Sequence, residues 1–278
     1  MATNEFPYGE AVLLAPQLRR ITAPNASPLT GPGTNTYVLG DPAWAIIDPG
    51  PVIDSHLAAL LAVAPRARWC FVTHTHGDHS PLTERFCAAT GAVPVGRPPP
   101  TDGRQDMSFV PSVQPLRDQL FTGPAGIALR AIDTPGHASN HVCYLLEPLG
   151  MLFSGDHVLD GVSPVILSPD GDMAQYLEAL RRLLGYPLAS IAPAHGRVLS
   201  EPAQVIQALI AHRLQREAKV LRVLRSVGSA TTDGLLPGVY DDVNPAMHVM
   251  ARHSLEAHLI KLQRDAVIRR DAERWHAT

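Results

Sequence analysis

Apolar residues in the first two hundred positions come in short runs broken by Gly, Pro and Asp. TYVLG (36–40) and WAIID (44–48) flank a Gly-Asp-Pro turn, the signal of a hairpin. DSHLAALLAVA (54–64) has helical spacing, with Asp54 placed as an N-cap. WCFVT (69–73) is continuously apolar, as a strand covered on both faces is. PLTERFCAATG (81–91) starts on Pro and stops on Gly, the punctuation of a helix. Beyond a Pro-rich loop at 96–103, IALRAID (127–133), VCYLLE (142–147) and MLFSG (151–155) predict strands. DMAQYLEALRRLL (172–184) predicts an amphipathic helix and SIAPAHG (190–196) a last strand and turn. Strands interspersed with helices, without a short internal repeat, predict a layered α/β (α+β) domain.

From Pro202 the texture changes. Val205, Leu209, Leu214, Val220, Leu221 and Leu224 give AQVIQALIAHRLQREAKVLRVLR a long helical pattern. NPAMHVMARHSLEAHLIKLQRD (244–265) is helical in period, and AVIRR with Trp275 closes the chain as a short strand pair. This pattern predicts a first domain over residues 1–202 and a small winged-helix-like unit over residues 203–278.

Composition and charge change the picture only a little. A chain of 278 residues with 45% hydrophobic and 18% charged positions is long enough for one large domain with an appendage. The opening MATNEFPYGE has neither the basic nor the apolar region of a secretory leader, and no stretch is apolar enough to span a membrane. Cysteines at 70, 87 and 143 are odd in number and form no CxxC, so a reduced, cytoplasmic compartment is expected and the three read as packing residues. The net charge of −3 is uneven. From Ala203 onward there are 11 Lys plus Arg against 8 Asp plus Glu, and the first 202 residues carry 12 against 18. A mildly basic tail on an acidic body hints at an anionic partner.

The chemistry concentrates in FVTHTHGDHS (71–80). His74, His76, Asp78 and His79 crowd directly behind an apolar run, where unpartnered polar groups are costly to bury. If His74 and His76 project to one side of an extended segment, their imidazoles can share a cation. A turn at Gly77 can then swing Asp78 and His79 toward a second. Three further ligand-type residues each sit beside Gly after an apolar run: His137 in DTPGHASNH, Asp156 in FSGDHV and His195 in APAHGRV. Together these make five His and two Asp.

The order HxHxDH, His, Asp, His resembles the signature of the metallo-β-lactamase superfamily, over roughly residues 10–200. The resemblance implies a four-layer αββα sandwich with two divalent metal ions at the edge between two sheets. It implies that His74, His76 and His137 hold the first ion, that Asp78, His79 and His195 hold the second, and that Asp156 bridges both. Asp78, Asp156 and His195 take the catalytic role, while Asp48 and His141 stand behind the ligands and orient them. Zinc is the default ion for such ligands, with iron or manganese as alternatives. Two such ions lower the pKa of a bridging water and deliver hydroxide as the nucleophile. Ser154-Gly155 makes no nucleophile elbow.

Substrate class must come from elsewhere, because this superfamily is expected to hydrolyse lactams, lactones, thioesters and phosphodiesters with one ligand set. β-Lactamases of this fold usually carry cysteine at the bridging position and are exported, whereas this chain has Asp156 there and is expected to carry no secretory signal. With 38 residues between Asp156 and His195, an inserted nuclease domain has no room. GTNTYVLG (33–40), PDGDM (169–173), HRLQREAKVL (212–221) and HSLEAHLIKLQRD (253–265) resemble the β-lactamase-like protein 2 family. That resemblance implies endoribonuclease activity on single-stranded RNA, with acyl-carrier-protein thioesterase activity known among fungal relatives. Ser80-Pro81 departs from the small glycine-rich residues common there.

The expected substrate is therefore single-stranded RNA, and the alternatives are a thioester or lactone, or a metal-stabilised binding protein without turnover. The C-terminal unit admits three roles. Arg213, Arg216, Arg252, Lys261, Arg264 and Arg269 could meet phosphates; the unit could form a pocket lid; or it could serve as a homodimer contact.

Overall fold

The apolar runs of the sequence become strands of two sheets, and the polar punctuation between them becomes the loops that carry the chemistry. The computed structural model describes residues 5–277, so the first four residues of the N-terminal stretch MATNEFPYGE lie outside the described part. Two compact units share the chain. One runs to Thr134 and takes in Asn140–Val162 and Pro187–Pro202; the other comprises Pro135–Ser139, Ser163–Tyr186 and the chain from Ala203 onward.

The first unit holds a six-stranded sheet in chain order: β1 (Val12–Ala15), β2 (Leu18–Thr22), β3 (Asn35–Leu39), β4 (Ala45–Ile47), β5 (Trp69–Phe71) and β6 (Val93–Val95). The strands β4, β5 and β6 are parallel, and the crossovers between them are the helices α1 (Asp54–Val63) and α2 (Thr83–Thr90). Helix α1 departs from expectation at its start. Ile53 occupies the cap position in extended backbone, and Asp54 is instead the first helical residue, where its charge meets the positive end of the helix. Helix α2 ends as predicted on Gly91, whose φ of 77° closes it in the left-handed conformation.

A second sheet has the order β11-β10-β9-β8-β7, from β7 (Leu120–Thr122), β8 (Ala128–Asp133), β9 (Val142–Leu146), β10 (Met151–Gly155) and β11 (Ser190–Pro193). Tyr37, Leu39, Ile47 and Phe71 of the first sheet pack against Leu129, Ala131, Tyr144 and Phe153 of the second in one buried cluster. Ile46, Leu57, Leu60, Cys70 and Phe86 form another cluster, between the first sheet and its two helices. Burial of this kind contributes about 25 cal/mol per Å² of apolar surface and is what fixes the layers.

The pattern reading missed β1, β2, β6 and β7. In LRRIT the charged pair Arg19-Arg20 masks a strand, yet Arg20 is buried, donating to Glu5 O at 2.6 Å with its guanidinium over the Phe6 ring. Pro94 hides β6, and a proline is tolerated there because β6 is an edge strand.

The second unit contains α3 (Met173–Leu183), capped by Asp172, whose Oδ1 accepts from Ala174 and Gln175 backbone N–H groups. Its C-terminal part runs α4 (Pro202–Val227), β12 (Ser229–Ala230), α5 (Thr232–Val239), α6 (His248–Arg264), β13 (Ile268–Asp271) and β14 (Arg274–Ala277). The strands form a small sheet of order β12-β14-β13, and Trp275 is fully buried with Leu224, Leu235, Leu255 and Leu259. TDGLLPGV is helical despite Gly234 and Pro237, because Thr231 caps the helix by accepting from Gly234 N, and Leu235 and Val239 anchor it in the core. Among the described residues, no helix is long and apolar enough to cross a membrane.

Candidate metal centre

The ligand-type residues of the first unit fall just past the carboxyl ends of strands. Asp48 follows β4, His74 lies beyond β5, Asp156 follows β10 and His195 lies beyond β11. The parallel pairs β4–β5 and β10–β11 bring these ends to one edge of each sheet. Backbone bonds then join the two edges: Asn35 N donates to Ala194 O at 2.7 Å, and Val142 N to Thr73 O at 2.8 Å.

Two groups of donor atoms result. Those of His74, His76 and Asp156 lie within 4.8 Å of one another, and so do those of Asp78, His79 and His195. Within the first group, His74 Nε2 and His76 Nδ1 are 2.9 Å apart. Asp156 reaches into the second group as well, its Oδ1 standing 3.5 Å from His79 Nε2 and 3.3 Å from His195 Nε2. Asp78 Oδ2 is 3.4 Å from His79 Nε2 and 3.2 Å from His195 Nε2. His137 stands on the Pro135–Ser139 segment of the other unit, where its Nδ1 donates to Val165 O at 2.7 Å.

Three of the imidazoles are oriented from behind. His79 Nδ1 faces Asp48 Oδ2 at 3.0 Å, His195 Nδ1 faces Gly33 O at 3.2 Å, and His74 Nδ1 faces Thr73 Oγ1 at 3.1 Å. A carbonyl or carboxylate opposite Nδ1 makes that nitrogen the donor and leaves the ring lone pair on Nε2. Asp48 itself is held by Thr73, whose N donates to Oδ1 at 2.7 Å and whose hydroxyl donates to Oδ2 at 2.8 Å. His141 is fully buried, with Nδ1 2.9 Å from Thr134 Oγ1 and its ring centroid 5.0 Å from that of His74. The buried Ser154 hydroxyl donates to Val158 O at 2.8 Å, so this serine is committed to its own turn.

The electrostatics are those of a cation cage. Burial works to raise the Asp78 carboxyl, but the neighbouring His79 and His195 rings outweigh it and bring it down to about 2. Asp156 is likewise held well below the ordinary range, burial being overcome by His195 and His79. The imidazoles respond in the opposite sense. Burial opposes their charge, yet Asp156 and Asp78 lift His195 to about 9 and His79 well above its usual value. The two carboxylates thus favour positive charge at these rings, the charge that a divalent cation would supply. His79 Nε2 tests the fit: it is buried without a hydrogen-bond partner and lies between two carboxylate oxygens. Nitrogen and carboxylate donors in this mixture suit zinc and also iron or manganese.

With this geometry in place, the sequence can be set beside known proteins. Residues 29–195 match the metallo-beta-lactamase superfamily, and residues 231–275 match the beta-lactamase associated winged helix domain. The chain belongs to the metallo-β-lactamase superfamily. As a superfamily member it is a metal-dependent hydrolase with a C-terminal winged helix domain. It is 30% identical over 268 residues to the beta-lactamase-like protein 2 homolog of Drosophila melanogaster, covering 90% of this chain and 89% of that one. It is 32% identical over 221 residues to an atrochrysone carboxyl ACP thioesterase of Emericella nidulans, covering 76% of this chain and 66% of the relative. A crystal structure of a beta-lactamase domain protein from Burkholderia ambifaria shares the fold. Its TM-score is 0.83 at 19% identity, over 100% of this chain and 96% of that one.

In this superfamily member, sequence reasoning missed the polar residues that hold the ligands. Thr34, Asn35 and Thr36 are wholly buried although they stand at the head of an otherwise apolar strand. Thr34 Oγ1 donates to Asp78 Oδ2 at 3.3 Å, and Asn35 Nδ2 donates to Pro193 O and Gly196 O at 3.2 and 3.0 Å, pinning the turn that carries His195. The signal was available in the triplet TNT opening an apolar run, because three polar side chains in a covered strand need partners.

The basic residues of the C-terminal stretch are largely committed. Arg213 is buried, donating to Pro164 O with its guanidinium over the Tyr176 ring. Arg216 grips Asp242 with two bonds of 2.7 and 2.9 Å. Arg252 pairs with Asp233, Lys261 with Glu217 and Asp265, and Arg264 with Asp172. Arg269 lies exposed on β13.

Proposed function

We propose that this hydrolase uses two divalent cations, with zinc the favoured ion, to cleave acyl thioesters or closely related activated esters. His74, His76 and His137 would hold one cation and Asp78, His79 and His195 the other, with Asp156 shared. The observation that carries the two-ion reading is the pair of donor groups, one with His74, His76 and Asp156 and one with Asp78, His79 and His195, each with its donor atoms within 4.8 Å of one another. When bound, such cations supply Lewis acidity toward water and toward the scissile carbonyl oxygen. The chain's own groups do the rest. Asp48, Gly33 O and Val165 O fix the tautomers of His79, His195 and His137. Asp78, steadied by the Thr34 hydroxyl, is the carboxylate that orients the attacking water and holds its proton. The same reading puts the protein in a reducing, cytoplasmic compartment, where Cys70, Cys87 and Cys143 stay thiols.

Support for the acyl substrate comes from the relative named as an ACP thioesterase. The pairing of Arg216, Arg252, Lys261 and Arg264 with carboxylates, and the burial of Arg213, weigh against single-stranded RNA. Phosphate contacts would have to compete with each of these pairs. The test measures thiol release from acyl-pantetheine thioesters beside cleavage of end-labelled single-stranded RNA. Wild type, Asp78→Ala and chelator-treated protein are compared. Thiol release that disappears in both controls supports the reading. RNA cleavage that disappears in both, without thiol release, overturns the substrate class but not the metal chemistry.

A further inference from the structure

Between the first two histidines of HTHGDH stands Thr75, wholly buried, whose side chain is held by two loops. Its hydroxyl donates to Gln105 Oε1 at 2.5 Å and accepts from Asn140 Nδ2 at 2.6 Å. Its carbonyl accepts from Asp106 N at 2.7 Å. Asn140 spends its other amide hydrogen on Pro98 O at 3.1 Å, while its Oδ1 is buried without a partner. An unsatisfied buried acceptor is costly, so this side chain is kept for what its NH₂ group donates to. A second tie flanks the other end of the ligand loop, where the Ser80 hydroxyl donates to Asp106 Oδ2 at 2.6 Å. The segment Gln105–Asp106, just past the Pro-rich loop, is therefore bonded to the ligand loop on both sides of His76, Asp78 and His79.

We propose that Thr75, with Asn140 and Gln105, is a positioning device for the cation held by His74 and His76. It sets the backbone between the two imidazoles so that His74 Nε2 and His76 Nδ1 converge. A serine in place of Thr75 would do the same, and a valine of the same shape would not. The device touches neither substrate nor cation. This inference rests on the two-cation reading above.

The experiment titrates metal-free wild type, Thr75→Val, Thr75→Ser and Asn140→Ala with Zn²⁺ by calorimetry, and records the melting temperature of each metal-free protein. Two binding events are expected for wild type. In Thr75→Val and Asn140→Ala one event should weaken by about 10-fold or more while the other is unchanged, and Thr75→Ser should stay within about threefold of wild type. Unchanged affinities in Thr75→Val would overturn the positioning role and leave the two-cation reading intact. Equal weakening of both events with a lowered metal-free melting temperature would also overturn it, since that is the behaviour of a purely structural hydroxyl. Failure of wild type to bind two ions would sink the two-cation reading and this inference with it.

Discussion

His79 Nδ1 lies 3.0 Å from Asp48 Oδ2, and both side chains are buried. That contact links β4 to the ligand loop after β5, and it makes the orientation of one imidazole a property of the parallel pair beneath it. Asp48 also adopts a φ of 54°, a conformation that Asp and Asn accept more readily than other non-glycine residues.

Asp48→Asn keeps the shape and the backbone tolerance but halves the carboxylate's capacity to accept. Thr73 N, Thr73 Oγ1 and His79 Nδ1 all donate to Asp48, and an amide nitrogen would meet at least one of them donor to donor. The His79 proton would then move to Nε2, the atom facing Asp78 and Asp156. Zinc affinity should fall roughly 10–100-fold with an unchanged far-ultraviolet circular dichroism spectrum. Calorimetric titration giving affinity within twofold of wild type would discard this role for Asp48.

Gly155 and Gly77 make an internally controlled pair. A Cβ on Gly155, which sits at φ 50° directly before Asp156, would come within 2.6 Å of both His141 Nε2 and Thr73 Oγ1. Overpacking and the left-handed backbone together cost about 2–4 kcal/mol, and Asp156 must shift with them. Gly77 lies inside the ligand loop itself, yet a Cβ there meets nothing within 4 Å. Gly155→Ala should lower both melting temperature and metal content, whereas Gly77→Ala should change stability by less than about 1 kcal/mol. A larger loss in Gly77→Ala than in Gly155→Ala would reverse the argument.

This pair also shows what the sequence made legible. Asp156 and His195 could be singled out because each stands beside a glycine at the end of an apolar run, and the strands β10 and β11 do end there. The metal-type residues were legible because they are chemically conspicuous. The residues that hold them were not, because Thr34, Thr73, Thr75 and Asn140 are ordinary in type and acquire meaning only through long-range contacts. Arg20 and Arg213 misled in the other direction. A charged side chain reads as surface until a carbonyl and an aromatic ring are seen to enclose it.

His76→Ala removes the nitrogen that faces His74 Nε2 at 2.9 Å while leaving the sheets untouched, since His76 lies beyond β5 in a loop. Loss of one ligand forfeits several kcal/mol of transition-state stabilisation, so thioester hydrolysis should fall by roughly 1,000-fold or more. Melting of the metal-free protein should stay close to wild type. Activity near the wild-type level would end the case for metal chemistry at this edge of the sheets.

His56 supplies a pH dependence that is independent of the metal ligands. Its ring is buried, Nε2 lies 2.9 Å from Thr36 Oγ1, and Thr36 in turn donates to Asp48 O at 2.6 Å. Burial pushes the imidazole down to about 4. The unfolded chain, near 6.5 at this residue, therefore binds more protons than the folded one between those two values. The stabilisation is full above about pH 6.5, shrinks as pH falls and levels off below about 4. Between pH 7 and 4.5 the metal-free wild type should lose roughly 2.5 kcal/mol more than His56→Gln, whose side chain cannot take up the proton. Urea unfolding of both proteins at the two pH values measures this difference. Parallel losses would mean that His56 is charged in the folded state and that the Thr36–Asp48 contact does not depend on its neutrality.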